Sequence, residues 1–114
     1  MHEFSIAMSI IEIAEDEAKA ANSEKILSIE LLIGTMAGIE FYALDTAMEM
    51  AVKDTLLADA EIIVNKIQAF AKCSECNNEF EIVHITDECP KCSSLYSTVI
   101  SGKELKIKSI VIEE

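Results

Sequence analysis

Cys73-Ser-Glu-Cys76 and Cys89-Pro-Lys-Cys92 contain all four cysteines of this 114-residue chain, and twelve residues separate the two pairs. A C-x2-C turn directs both of its thiolates toward one ion, and two such turns complete a four-sulfur shell. Tetrahedral geometry with polarisable sulfur ligands is typical of zinc. The spacing therefore predicts a zinc site formed by Cys73, Cys76, Cys89 and Cys92. Because the protein fills all four positions, the zinc is expected to be structural rather than catalytic.

Three other kinds of chemistry also use cysteine pairs. Disulfides need an oxidising compartment, but four acids between residues 12 and 17 interrupt the apolar run that a secretory signal would need. A thioredoxin-type redox site needs one C-x2-C pair, whereas this chain has two. A single iron, as in rubredoxin-like electron carriers, suits four sulfurs, but Asn77 and Ser93 replace the glycine expected after each turn. We therefore expect zinc rather than iron, in a cytoplasmic protein.

Composition limits the other functions that this chain can have. With 51% apolar residues the chain can form a core, as one globular unit or as one unit with a small module. The net charge is −12 and arginine is absent, which argues against nucleic-acid binding. Acids outnumber lysines by more than three to one in residues 1–70. This acidity either keeps the protein soluble or steers it toward a basic partner.

Hydrophobic periodicity predicts two helices and three strands. Apolar residues recur at steps of three and four over residues 4–21, which predicts a helix ended by Asn22-Ser23. A second helix follows Gly38, and we expect it to bury Tyr42, Ala43, Ala47, Met50 and Ala51. Alternation from Lys25 to Ile33 predicts a strand closed by Gly34, with Leu27, Ile29, Leu31 and Ile33 on one face. β-Branched residues predict further strands at 61–68 and 104–112.

These elements predict an α+β fold, in which a small three-stranded sheet carries two helices and a zinc-ribbon-like module is inserted. Because the last strand follows the cysteines, the main domain is expected to be discontinuous, with residues 1–70 and 101–114 around a module at 71–100. About thirty residues are too few to bury a core of their own. Metal binding is therefore expected to supply the folding free energy of the module.

The N-terminal residues Met1-His2-Glu3 form a second candidate metal site. The Met1 α-amine, the His2 backbone nitrogen and the His2 imidazole can form fused chelate rings around one ion. Nitrogen donors in a plane suit Ni(II) or Cu(II) rather than tetrahedral zinc. The same residues also have an ordinary interpretation, a solvated histidine followed by an acid that favours the positive end of a helix.

Taken together, motifs along the whole chain resemble those of one family, the hydrogenase nickel-incorporation proteins HypA. The resemblance rests on Met1-His2-Glu3 with Ser5, the four cysteines, and the segments around Gly34, Gly38-Ile-Glu40, Thr55 to Ala60 and Gly102 to Glu113. It implies a nickel metallochaperone and no enzymatic turnover. It further implies that Met1, His2 and Glu3 hold the transported Ni(II), while Cys73, Cys76, Cys89 and Cys92 hold structural Zn(II).

The resemblance also implies partners. Proteins similar to this one work with a HypB-like GTPase and hand nickel to the large-subunit precursor of [NiFe]-hydrogenase, and in some organisms they also serve urease maturation. Some relatives place histidines beside the cysteine turns, whereas His84 of this chain lies in the middle of the spacer. Two other functions stay open: a zinc-ribbon adaptor for protein interactions with an inert N-terminus, and electron transfer through a single iron.

Overall fold

The computed structural model describes residues 2–114, and its two helices and six strands follow one another along the chain. The elements are α1 (Glu3–Ala20), β1 (Ile26–Gly34), α2 (Phe41–Ala51), β2 (Glu61–Ile67), β3 (Phe70–Cys73), β4 (Glu79–Glu81), β5 (Ser97–Ser101) and β6 (Leu105–Ile112). The strands form two three-stranded sheets, with orders β2-β1-β6 and β4-β3-β5. The predicted α+β class with an inserted four-cysteine module is confirmed. The sequence did not predict the second sheet.

The chain divides into two compact units, and both are assembled from separate segments. The first consists of Met1–Leu31, Ile39–Asn65 and Lys106–Glu114, and the second of Leu32–Gly38 and Lys66–Leu105. The second unit also contains Leu32–Gly38 and residues 66–70 and 101–105, whereas the predicted module covers 71–100. Neither helix in residues 2–114 is long and apolar enough to cross a membrane.

Helix α1 ends at the predicted Asn22-Ser23 segment, where backbone hydrogen bonds turn the chain. Asn22 adopts a left-handed conformation with φ of 60°. Its amide donates to the Lys19 carbonyl, and the Ser23 amide donates to the Ala18 carbonyl. This pair of bonds satisfies carbonyls at the end of the helix and turns the chain toward β1. The Ser23 hydroxyl then donates to the Glu113 carbonyl at 2.7 Å, which holds the C-terminal segment beside the start of β1.

The core of the first unit lies between the two helices and the strands. The buried face of α1 consists of small and branched apolar residues, Ala7, Ile10, Ile11, Ala14 and Ala18. Three residues of the apolar pattern that predicted this helix, Phe4, Met8 and Ile13, are instead about half exposed. In β1, Ile26 is buried and Leu27 is exposed, so the predicted alternation is out of phase at the start of this strand.

The buried face of α2 differs from the predicted one. Tyr42 and Met50 were expected in the core but are 78% and 61% exposed, and Ala43 is only half-buried. The helix instead buries Leu44, Ala47, Met48 and Ala51. Two apolar stripes with helical spacing overlap in this segment, and the one that carries the larger Leu44 and Met48 side chains faces the core. The sequence pattern alone does not choose between them.

In the second unit, two glycines let backbone segments approach closely. The Met36 amide donates to the Gly102 carbonyl and the Gly34 amide to the Glu104 carbonyl, both at 2.7 Å. A Cβ atom at Gly34 would overlap the Gly102 backbone. A Cβ atom at Gly102 would overlap Ala69, and the φ of Gly102 is +106°. Both positions therefore require glycine.

Candidate metal centre

The four cysteine sulfurs lie together in the second unit. All four sulfur atoms are within 4.8 Å of one another. The Cys73 and Cys92 sulfurs are 3.5 Å apart, and the Cys76 and Cys89 sulfurs are 3.6 Å apart. Zn–S bonds of about 2.3 Å in a tetrahedron place sulfurs roughly 3.8 Å apart. The donor set therefore has the size and chemistry of a four-sulfur metal-binding site.

The two cysteine turns have the same backbone hydrogen bonds. The Cys73 amide donates to the Asn78 carbonyl at 2.8 Å, and the Asn77 amide donates to the Cys73 carbonyl at 2.9 Å. In the second turn the Cys89 amide donates to the Ser94 carbonyl at 2.9 Å, and the Ser93 amide donates to the Cys89 carbonyl at 2.8 Å. The second turn thus repeats these two bonds of the first, whereas the Ser74 amide of the first turn also donates to the Tyr96 carbonyl and Pro90 of the second has no amide hydrogen.

The residue after each cysteine turn has a left-handed backbone conformation, which is the reason that glycine was expected there. Asn77 and Ser93 have φ of 63° and 64°. An L-residue in this left-handed region costs roughly 1–2 kcal/mol, which asparagine tolerates better than serine. The turns therefore form without glycine, so the missing glycines do not distinguish zinc from iron by the shape of the backbone.

Hydrogen bonds to sulfur make the four thiols unequal in the metal-free protein. Hydrogen bonds from the backbone amides of Cys76 and Glu75 lower the pKa of Cys73. Burial opposes ionisation of Cys89, but the amides of Lys91 and Cys92 lower its pKa to about 6.

The partner thiol in each close sulfur pair has the opposite shift. For Cys92 the Ser94 amide favours the thiolate, but the neighbouring Cys73 sulfur and burial raise the pKa to about 12. For Cys76 the Asn78 amide acts in the same way, but burial and the neighbouring Cys89 and Cys73 sulfurs raise the pKa. Each close pair therefore joins a thiol of lowered pKa to one of raised pKa, and a bound cation would displace the protons that remain.

The site is continuous with a small apolar core. Cys73 and Cys89 are buried, Cys76 is half-buried and Cys92 is exposed. The first two belong to a cluster with Ala69, Ala71, Phe80 and Ile82. The side-chain amide of Asn78 donates to the Cys89 sulfur at 3.8 Å. The sequence had assigned this module no core; the cluster is small, and two of its six members are cysteines of the metal site.

The residues of the predicted nickel site lie in the first unit, and Met1 is outside the described residues. His2 precedes α1, is exposed, and makes no side-chain hydrogen bond that caps the helix. Glu3 begins α1 and is buried, with a carboxylate oxygen that accepts the Glu40 amide at 3.2 Å. The Glu40 side chain in turn accepts the Ala43 amide at 2.6 Å and caps α2.

Two residues near these sites were not identified from the sequence. Glu40 fixes the start of α2, and glutamate is not among the residues usually preferred as helix caps. The contact of Asn78 with the Cys89 sulfur was not predicted, because an asparagine after a cysteine turn has no distinctive pattern. Within residues 2–114, the four cysteines form the one group of three or more side chains placed for a metal. His84 is exposed and is not part of that group; its backbone amide donates to Asp87.

Comparisons with known proteins agree with this geometry. The family described as "Hydrogenase/urease nickel incorporation, metallochaperone, hypA" matches residues 1–112. Hydrogenase maturation factor HypA of Chlorobium limicola is 40% identical over 114 residues, which are 100% of this chain and 98% of that protein. The factor of the same name from Parabacteroides distasonis is 38% identical over 114 residues, 100% of this chain and 99% of that protein.

Solved structures share the fold. The solution structure of the Ni metallochaperone HypA from Helicobacter pylori has a TM-score of 0.67 and 24% identity, and covers 98% of this chain and 97% of that one. A second solution structure of a HypA protein has a TM-score of 0.70 and 24% identity, and covers 99% of this chain and 97% of that one.

Proposed function

The chain belongs to the HypA family of nickel metallochaperones for hydrogenase maturation, and we propose that it binds Ni(II) at its N-terminus and delivers it to [NiFe]-hydrogenase. The protein is a maturation factor with a four-cysteine metal-binding site and is not an enzyme. In this proposal the first unit carries the nickel and the second carries structural zinc. The observation that carries the proposal is the family match over residues 1–112 together with the exposed His2 at the start of α1.

The donors at the N-terminus suit nickel. The imidazole of His2, its backbone nitrogen and the Met1 amine are nitrogen donors on adjacent residues, and fused chelate rings hold such donors in a plane. Glu3 is the third residue of the proposed nickel site. Its carboxylate accepts the Glu40 amide, which fixes the start of α1 and leaves further carboxylate lone pairs for the ion.

The four cysteines suit zinc as the resident ion. Zinc would hold the two cysteine turns together through Cys73, Cys76, Cys89 and Cys92, and it has no redox chemistry of its own. The sulfur distances of 3.5 and 3.6 Å support this assignment. A bound iron would give a strongly coloured protein, whereas zinc would leave it colourless. Replacing Cys76 by Ser should remove the zinc, while Ser74→Ala in the same turn should retain it at about one ion per chain.

The test of nickel binding uses tag-free protein that begins at Met1. Nickel titration followed by absorption spectroscopy should show a planar nitrogen-rich site. His2→Ala should abolish tight binding and leave the zinc content unchanged. His84→Ala, which removes the other histidine, should bind nickel like the parent protein. Unchanged nickel binding in His2→Ala would exclude the N-terminal site and favour the zinc-ribbon adaptor.

An N-terminal extension provides a second test of the same site. Added residues convert the Met1 α-amine into an ordinary amide, so nickel should bind more weakly even with His2 intact. Affinity should also decrease as the pH falls through about 6.5, the usual imidazole pKa, because protons then compete with the ion. Equal affinity for tagged and tag-free protein would show that the amine is not a ligand.

The proposed partners are a HypB-like GTPase, the large-subunit precursor of [NiFe]-hydrogenase and, in organisms that have urease, its maturation proteins. The acidity of residues 1–70 supports docking on a basic surface. Association with such a GTPase should slow as salt is added, because the screening length is about 8 Å at physiological ionic strength. A rate independent of salt would leave the acidity as a solubility feature. We also propose a cytoplasmic location, because four cysteines that hold one metal ion must stay reduced.

A further inference from the structure

The hydroxyl of Ser97, at the start of β5, has no assigned role in the four-cysteine site. Its oxygen is buried and has no hydrogen-bond partner among the protein atoms of residues 2–114. Buried hydroxyls in folded proteins nearly always have a partner, so an exception calls for an explanation. A strand residue that needed only to pack could be valine or alanine. The hydroxyl is therefore expected to donate a hydrogen bond to a nearby group whose protonation or ligation state changes.

The pairing of β3 with β5 identifies the nearest such group. The two strands are antiparallel, and Ser97 is directly opposite Cys73. Directly opposed residues point to the same face of a sheet, with Cβ atoms about 4.5–5.5 Å apart. Cys73 points to the buried face, and Val99, two residues after Ser97, packs against the same buried cluster. The Ser97 hydroxyl thus lies on the face that carries the metal site.

The chemistry of the two groups is complementary. A serine side chain can turn about its Cα–Cβ bond between staggered rotamers, and its hydroxyl donates one hydrogen bond. A metal-bound cysteine is a thiolate, which accepts hydrogen bonds more strongly than a thiol does. Resting on the metal site of the proposed function, we propose that Ser97 is a positioning residue whose side chain turns about its Cα–Cβ bond to donate a hydrogen bond to the Cys73 sulfur once that sulfur binds metal.

This bond has consequences for the bound ion. A hydrogen bond to a metal-bound ligand orients it and tunes its interaction with the metal, and loss of such an outer partner typically weakens metal binding by about 10-fold to 100-fold. A donor to sulfur also stabilises the sulfur lone pairs. The sulfur-to-metal charge-transfer band of a Co(II)-substituted site therefore lies at higher energy with the bond than without it. A residue that served only to pack the strand would not move that band.

The test compares Ser97→Thr with Ser97→Val, which differ from each other by a hydroxyl and have similar volumes. Ser101→Ala is the matched control, since the Ser101 hydroxyl on the same strand already donates to the Gln68 carbonyl at 3.2 Å. Each protein is loaded with Co(II), and its charge-transfer band and its affinity in competition with a chelator are measured. Ser97→Ala is a second hydroxyl-free variant in case Ser97→Val does not fold.

We expect Ser97→Thr and Ser101→Ala to match the parent protein. Ser97→Val and Ser97→Ala should bind Co(II) about 10-fold more weakly and shift the band to lower energy. The same band energy with and without the hydroxyl, in proteins that all bind Co(II), would overturn the role of Ser97 and leave the proposed metal site intact. A parent protein without a four-sulfur cobalt spectrum would overturn the metal site, and the role of Ser97 with it.

Discussion

Zinc binding to the folded protein should release fewer protons than zinc binding to an unfolded chain with the same cysteines. In the metal-free fold, the pKa of Cys89 is about 6 because backbone amides stabilise its thiolate, and the pKa of Cys73 is lowered for the same reason. The pKa of Cys92 is about 12 and that of Cys76 is raised, since each adjoins another sulfur. At pH 7, Cys89 is therefore already ionised, whereas Cys76 and Cys92 carry protons.

The expected number of protons follows from these states. Zinc binds thiolates, so the folded protein should release about two to three protons at pH 7, depending on how far Cys73 is ionised. In an unfolded chain all four thiols have a pKa of about 8.5, and binding would release nearly four. Each released proton raises the apparent affinity about tenfold per pH unit. The affinity of the folded site should therefore rise by about 100-fold to 1,000-fold per unit, rather than by about 10,000-fold.

Isothermal titration calorimetry in several buffers at pH 7 measures the count, because the observed enthalpy depends on the ionisation enthalpy of the buffer with a slope equal to the number of protons released. Ultraviolet absorbance of thiolates in the metal-free protein is an independent check. It should indicate one to two thiolates in buffer and almost none in urea. Release of nearly four protons, with no thiolate absorbance in buffer, would refute the unequal thiols and show that the site forms only with the metal.

Three further predictions concern stability. Gly102→Ala should lower the free energy of unfolding of the second unit by about 3 kcal/mol, because the new methyl group overlaps Ala69 and the φ of Gly102 is +106°. Chemical denaturation measures this free energy, and a change below about 1 kcal/mol would mean that the backbone moves aside. Ser93→Gly should stabilise the zinc-loaded protein by about 1 kcal/mol and Asn77→Gly by less, since both residues have positive φ and asparagine tolerates it better; a loss of stability in both would show that these side chains make compensating contacts. Glu3→Ala should lower the melting temperature more than Glu12→Ala on the exposed face of α1, because Glu3 accepts the Glu40 amide; equal effects would contradict this role.

The main sheet and its helices were predictable because long elements repeat their pattern often enough to be recognised. Helix α1 has several turns of apolar spacing and is followed by Asn22, and both are visible in the sequence. In the structure Asn22 adopts the left-handed conformation that ends the helix. The second sheet was not predictable, because β3, β4 and β5 have only three to five residues each. Alternation over so few residues does not distinguish a strand from a loop.

The metal centre was also predictable only in part: its local spacing could be read from the sequence, and its longer-range contacts could not. The spacing of the cysteines was sufficient to bring four sulfurs together, since a C-x2-C turn is a local structure. Positive φ at Asn77 and Ser93 was not predicted because neither residue is glycine, and two backbone hydrogen bonds per turn accompany this strained conformation. The burial of Glu3 was also missed, because it depends on an amide 37 residues away in the chain.

The unequal exposure of the four cysteines has a kinetic consequence. Cys73 and Cys89 are buried residues and Cys76 is half-buried, whereas Cys92 is an exposed residue although its sulfur lies against the other sulfurs. A metal ion held by four protein ligands leaves by stepwise exchange, in which an incoming chelator must first displace one sulfur. We expect the bond to Cys92, the one exposed residue of the four, to be the first that such a chelator displaces. At equilibrium the protein therefore fills all four positions around the ion, but exchange is expected to begin at Cys92. The lifetime of the bound ion should then depend on the mobility of the turn that carries Cys92.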